Sequence, residues 1–332
     1  MGSRIPAGNT GREQEVVSVS TPERVVGVAV HERTVSETLA VIRKADDFGV
    51  RAAWLTTGGV GPDGPTVLAA AAVQTRRIAL GTAIVPTFPR HPLVVVQQAI
   101  VLAQLAPGRF RLGLGPSHRP SIEGMYGIPF LRPLEHLREY ATIVRQALQG
   151  GTVDFTGRRF TVHARIPDPP GTPVFLSALR PASYELAGEI ADGAISWVTP
   201  PAFLRDVARP ALLAGAARRT DGRRPILVGH AFGVVSEDEA AVLREARERL
   251  AGYARLPFYQ EMFAAAGYPE ARQGTISDAL ARNLVIHGDE ARFADGLRRF
   301  LDAGLDELIV SLLPVGADRT GSLERTLRAL AS

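Results

Sequence analysis

The sequence predicts an α/β protein built as a TIM (β/α)8 barrel with insertions at its C-terminal face. Three observations point there. A helix–glycine–strand junction recurs along the chain, eight short apolar runs alternate with helical segments, and the 332 residues suit eight such units. The junction appears first in VSETLAVIRKADDFGVRAAWL, where Leu39, Ile42 and Phe48 keep helical spacing and Gly49 stops the helix. YELAGEIADGAISWV repeats it around Gly193, and DEARFADGLRRFLDAGLDELIVSLL around Gly304. In the last, Asp289 is the expected N-cap and Phe293, Leu297, Phe300 and Leu301 form the buried stripe.

The predicted strands are Val25–Val30, Ala52–Leu55, Ile78–Val85, Phe110–Gly115, Val174–Ala178, Gly193–Val198, Ile226–Val235 and Glu307–Leu312. They are apolar on both faces, as strands of a helix-covered parallel sheet must be. A doubly wound sheet is the rival. Its G-x-G-x-x-G fingerprint is met only by Gly113-Leu114-Gly115-Pro116-Ser117-His118, which lacks the third glycine. One barrel domain over 24–332 follows, preceded by a polar, loose extension over 1–23 without the apolar core of a signal peptide. The chain thus reads as cytoplasmic. Two stretches exceed simple connectors, 116–132 and the aromatic-rich 251–283, and both are expected as lids or pocket walls.

Composition excludes several classes. Cysteine is absent, which removes disulfides, thiolate metal sites and cysteine nucleophiles. Lys44 is the sole lysine and reads as a solvated helix position, so Schiff-base chemistry is not expected. The net charge is only +4 and the arginines are dispersed, which argues against nucleic acid as a partner. No apolar run reaches the roughly 18 residues of a membrane span.

A barrel places its chemistry at the C-terminal ends of the strands. Those ends carry His31, Trp54 to Thr57, Thr82 to Thr87, Gly115 to His118, Ser177 to Arg180 and Ser196 to Thr199. They hold no carboxylate pair for glycoside hydrolysis and no clustered histidines for a metal, so no metal is expected. Small polar groups, glycines and the chain's two tryptophans, Trp54 and Trp197, suit a flat heterocycle that brings its own reactivity. His118 and His31 are the candidate proton donors, with Thr57 beside them. Arg109 and Arg111 read as structural at the barrel bottom, Arg90 and His91 as either a helix cap or surface pair or else cofactor contacts, and Glu135 and Glu139 as a solvated helix face.

The run TRRIALGTAIVPTFPRHPLVVVQQAIVLAQLAPGRFRLGLGPSH resembles the core of the bacterial luciferase-like superfamily. It is closest to the deazaflavin (coenzyme F420)-dependent oxidoreductases. RPLEHLREYATIVRQAL, VDFTGRRFTV, PVFLSALRP, ELAGEIADGAISWV and VIHGDEARFADGLRRFLDAGLDELIVSLLP extend the resemblance over residues 24–315. It implies a TIM barrel that transfers hydride between F420 and a small organic substrate, as a reductase of C=C or C=N bonds.

By the same resemblance, Gly81, Thr82 and Ala83 match a third-strand bulge with a non-prolyl cis peptide behind the cofactor ring. Pro116 and Ser117 match the fourth-strand end beside the cofactor. Ser177, Ala178, Leu179 and Arg180 match a segment that receives the ribityl chain or phosphate at a helix N-terminus. Trp54 and Trp197 are expected to contact the ring. The sugar-phosphate dehydrogenases of the group carry Asp-His after the second-strand aromatic, whereas here Trp54 is followed by Leu55-Thr56-Thr57-Gly58. Their activity is therefore not expected. The alternatives are a two-component FMN-dependent monooxygenase fed by a separate reductase, and a non-catalytic flavin-binding barrel. A homodimer is the expected assembly.

Overall fold

A parallel sheet buried on both faces is either covered by helices on both sides or closed on itself with helices outside, and this chain takes the second course. The computed structural model describes residues 24–332, so the predicted extension 1–23 lies outside the described residues. The strands are β1 (Val25–Val30), β2 (Ala52–Leu55), β3 (Ala79–Thr82), β4 (Val85–Pro86), β5 (Phe110–Gly115) and β6 (Thr152–Thr156). They continue with β7 (Thr161–Arg165), β8 (Val174–Ser177), β9 (Gly193–Ser196), β10 (Ile226–Val235), β11 (Val285–Gly288) and β12 (Glu307–Leu312). Parallel pairing runs β1–β2–β3–β5–β8–β9–β10–β12 and returns from β12 to β1. These are the eight predicted strands, closed into a barrel.

Two junctions differ from the sequence reading, each for a local reason. The third strand is not continuous to Val85. It breaks after Thr82 at a cis Ala83–Ile84 peptide, and the fragment β4 resumes pairing with β5. Gly193 does not stop a helix but opens β9, where a Cβ would stand 2.5 Å from the Ile226 carbonyl oxygen. Gly49 (φ 91°) and Gly304 (φ 96°) do end their helices in the left-handed conformation that glycine takes without strain.

Two further elements were not anticipated as strands. The antiparallel hairpin β6–β7 lies outside the barrel. β11 pairs with the C-terminal half of β10, beyond the stretch that pairs with β9.

Glu139 corrects the expectation of a solvated face. On helix Pro133–Arg145 it is buried, and its carboxylate accepts the backbone N–H groups of Arg158, Arg159 and Phe160, which form the turn of the hairpin. His136, three residues before it, stacks on Phe88 at 4.0 Å and bonds Thr87 Oγ1 at 3.1 Å. Burial, with Arg159 nearby, pushes its pKa down to about 4. The unfolded imidazole titrates near 6.5, so the unfolded state binds more protons between those values. Stability from this site is complete above pH 6.5 and is lost as the pH falls through about 4, by about 3 kcal/mol. Urea unfolding at pH 7 and pH 4.5 should show this loss. His136→Phe, which keeps the stack, should reduce it.

Alternation along the strands determines which residues face the barrel interior. Ala29, Ala52, Trp54, Ala83, Phe175, Ile195, Val228 and Ile309 pack there as a core of their own. Hydrogen-bonded partners climb by one residue per strand around the barrel, so the inward residues of alternate strands stack in layers. Low in the barrel, one layer above Val25, Ala79 and Ile226, lie Ala52, Arg111, Gly193 and Glu307. Gly27, Gly81, Phe175 and Val228 follow, then Trp54, Gly113, Ile195 and Ile309. Glycine is required at Gly113, because a Cβ would meet the Thr82 carbonyl oxygen at 2.0 Å.

Candidate active site

Above these packed layers the same register places Ala29, Ala83, Ser177 and His230, and above them Thr56, Gly115, Trp197 and Ser311. The upper barrel interior is therefore small on the β1–β3–β5 side and polar or aromatic on the β8–β9–β10–β12 side. His230 is fully buried, bonds Ser311 Oγ through Nε2 at 2.8 Å, and leaves Nδ1 buried without a partner. Burial pushes its pKa down to about 3, so the ring is neutral. Trp197 is half-buried, lies on the His230 ring at 3.7 Å and 18°, and donates from Nε1 to the Tyr253 hydroxyl at 2.8 Å.

Trp54 stands deeper. It is fully buried, donates from Nε1 to Glu307 Oε1 at 2.7 Å, meets Phe175 edge-on, and carries the Arg111 guanidinium 4.7 Å over its ring. Arg111 also pairs with the Glu307 carboxylate. The indole expected to touch a ligand thus fills the barrel interior. Gly81 lies beneath it, since a Cβ there would meet the Trp54 ring at 2.4 Å. Thr82 faces outward and ties β3 to β5 through Gly113, donating to its carbonyl at 2.9 Å and accepting from its N–H at 2.8 Å. Of the third-strand trio only Ala83 reaches the upper interior, directly before the cis peptide.

The rim carries the remaining predicted residues. His31 is exposed, with Nδ1 2.7 Å from Thr56 Oγ1, which leaves Nε2 free. Glu32 follows it, its pKa raised by desolvation and by the Glu37 carboxylate. Thr57 Oγ1 is buried without a hydrogen-bond partner, packed against Gly64. Pro116 and Ser117 end β5, and Ser117 takes φ 63°, a left-handed backbone that costs energy outside glycine. Val198, just past β9, does the same at φ 51°.

His118 is half-buried with its pKa lowered by desolvation, and its ring lies 5.7 Å from that of Tyr259. Tyr259 is buried, and its ring centroid is 4.9 Å from that of Tyr253. The 251–283 segment therefore bridges the ends of β5 and β9 above β8, as a pocket wall should. The other excursion reaches the β2 end, where the Tyr126 hydroxyl donates to the Gly59 carbonyl at 3.0 Å.

The fifth predicted end divides. Ser177 faces inward, with its Oγ in the space a Gly115 Cβ would need. Ala178 is buried and donates its N–H to Ile195. Leu179 and Arg180 give theirs to Ser183 Oγ, 3.1 Å from each, and Pro181 has none. The start of helix Pro181–Ile190 thus offers fewer free N–H groups than the sequence suggested. The Arg180 side chain is exposed.

Sequence reasoning missed His230, Ser311, Glu32 and Tyr259. Counting alternate residues along β10 from Val228 would have turned His230 inward. Tyr259 had no such signal, because its place depends on how a long segment folds back. Among the described residues no group of three His, Asp or Glu side chains is placed to hold a metal ion, and no helix is long and apolar enough to cross a membrane.

A family model described as luciferase-like monooxygenase matches residues 16–307. The chain belongs to the bacterial luciferase-like family. It is 30% identical over 271 residues to an F420-dependent glucose-6-phosphate dehydrogenase of Nocardia farcinica, covering 77% of this chain and 79% of that one. In fold it is similar to a coenzyme F420-dependent tetrahydromethanopterin reductase from Methanopyrus kandleri. That match has TM-score 0.72 and 22% identity over 92% of this chain and 97% of the other. It is also similar to the oxygenating constituent of 3,6-diketocamphane monooxygenase from Pseudomonas putida, in complex with FMN. There the TM-score is 0.70 and the identity 17%, over 93% of this chain and 98% of the other.

Proposed function

We propose that the chain is a hydride-transferring oxidoreductase that holds coenzyme F420 at the barrel mouth and reduces a C=C or C=N bond of a small organic substrate. The observation that carries this reading is the shape of the upper interior. Trp197 offers an indole face at the mouth, opposite the small side of Ala29, Ala83 and Gly115. A flat ring fits that arrangement. The buried, unpartnered Thr57 Oγ1 suits a ligand with a hydrogen-bonding edge.

When bound and reduced, the deazaflavin supplies the hydride. The chain's own residues do the rest. Trp197 orients the ring, and Ser177 faces it from β8, with Ala178, Leu179 and Arg180 toward its polar tail. Pro116 and Ser117 close the side next to Ala83. His31 is held by Thr56 at Nδ1 and handles the proton at Nε2. His118 and Thr57 contact the substrate, while Tyr253 and Tyr259 exclude water. The working form is a cytoplasmic homodimer, and a separate enzyme reduces the cofactor again.

The sequence relative named above oxidises a sugar phosphate by its name. The Leu55-Thr56-Thr57-Gly58 end of β2 lacks the Asp-His of that group and supports a different substrate here. The second reading, an FMN-dependent monooxygenase, is favoured by the FMN-bound structure of similar fold.

One titration separates the two. F420 should saturate the purified protein at concentrations where FMN binds weakly, and oxidation of the reduced cofactor should not depend on oxygen. Saturation by FMN without binding of F420 would overturn the reading. A non-catalytic barrel would be indicated if substitution of His31, His118 and Thr57 changed no turnover.

A further inference from the structure

A leucine at position 230 would pack the barrel without leaving a buried nitrogen unpaired, and a buried polar atom without a partner costs free energy. The chain nevertheless has a histidine there, fully buried on β10 with Nδ1 unpartnered. What that imidazole does have is geometry. Ser311 of the neighbouring β12 holds its Nε2 at 2.8 Å, and Trp197 of the other neighbour, β9, lies almost parallel on it at 3.7 Å. The β9–β10 register, continued past Ser196↔Gly229, sets Trp197 beside His230, so the imidazole covers one face of an indole that is itself only half-buried. The edge of the same indole is held by Tyr253 of the pocket wall at 2.8 Å. Both the tilt and the height of Trp197 are thus determined, one by the stack and one by the hydrogen bond.

We propose that His230 is a positioning residue that fixes the plane of the Trp197 indole at the barrel mouth, where it serves as the platform for the ring of the bound ligand. This rests on the reading of the site as one that takes a flat ring. Phe232, edge-on to His230 at 5.0 Å, walls the imidazole in, and burial keeps it neutral. The stack is therefore one of two uncharged rings, whose preference for an offset parallel arrangement supplies the alignment.

The test uses the full chain with riboflavin, FMN and F420 as probes and two readouts. Trp54 is enclosed, so acrylamide quenching of tryptophan emission reports Trp197 alone. His230→Ala and His230→Gln should raise that quenching and weaken every probe that binds the wild type by about 3- to 10-fold, the range expected for loss of one aromatic pair. His230→Phe restores a ring beneath the indole and should bind within about 2-fold of wild type. Ser311→Ala, which leaves both rings in place, should change either readout less than His230→Ala does, and His230→Gln covers the case in which His230→Ala does not fold.

Unchanged quenching and affinity in His230→Ala, or in His230→Gln if His230→Ala fails to fold, would overturn the proposal. Losses in His230→Phe as large as in His230→Ala would also overturn it, because they would assign the effect to the Ser311 bond instead of the stack. The two readings fail separately. If none of the three rings binds the wild type, the ring-binding site itself is wrong. If they bind and His230→Ala binds them as tightly, only the role of His230 is wrong.

Discussion

Replacing Arg111 by methionine is expected to lower the unfolding free energy by about 3–5 kcal/mol, the range for breaking a buried ion pair by removing one partner. The cause lies low in the barrel interior. The Glu307 side chain is 2% exposed, and its carboxylate receives both the Arg111 guanidinium and the Trp54 Nε1–H. Without Arg111 a carboxylate remains in a water-poor interior with one neutral donor. The guanidinium that covered the Trp54 ring at 4.7 Å is also gone, although the methionine stem still fills part of that space. Urea unfolding measures the effect. The companion variant Arg111→Met/Glu307→Leu should recover much of the loss, since removing both charges leaves no unpaired ion. Equal stability of Arg111→Met and wild type would show that water reaches Glu307 from below.

Replacing His31 by asparagine is expected to lower turnover by about 10²–10⁴-fold, the usual contribution of a positioned proton-transfer group, with cofactor affinity nearly unchanged. His31 is the histidine at the mouth that is both oriented and open. Thr56 holds Nδ1 at 2.7 Å, the side chain is exposed, and β1 places it on the inward-facing register. His118, by contrast, lies against Tyr259, and desolvation lowers its pKa, so it is a weaker source of protons at neutral pH. Steady-state rates and a binding titration on the same preparation separate the two effects. Thr56→Val, which frees the imidazole to rotate, should lose less than His31→Asn. A fall in cofactor affinity matching the fall in rate would move His31 from proton handling to binding.

The expectations that held concern local pattern. Apolar runs of four to ten residues between amphipathic helices have few ways to bury both faces, so all eight barrel strands were legible. Caps were legible for the same local reason. Asp289 accepts the Arg292 N–H at 2.9 Å, and His91 caps the helix Pro92–Leu105. The expectations that shifted concern where a side chain ends up. Glu139 looked like a solvated position because helix periodicity places it beside Glu135. The hairpin whose turn it holds is contributed by residues 152–165, which no local window includes.

The two tryptophans show the division most clearly. Both end short apolar strands, and nothing in their neighbours along the chain tells them apart. The closed barrel places Trp54 two layers below Trp197, so one is locked against Arg111 in the interior and the other stands half-buried at the top. Composition and short-range periodicity were enough to read the eight βα units, the family, the absence of cysteine and the presence of a single lysine. Only the tertiary structure decided which inward residues meet at the top, and it brought His230, Ser311 and Tyr259 into the site. The physical reason is the stagger imposed when β12 closes on β1, which sets the height of every side chain through pairings between residues far apart in the chain.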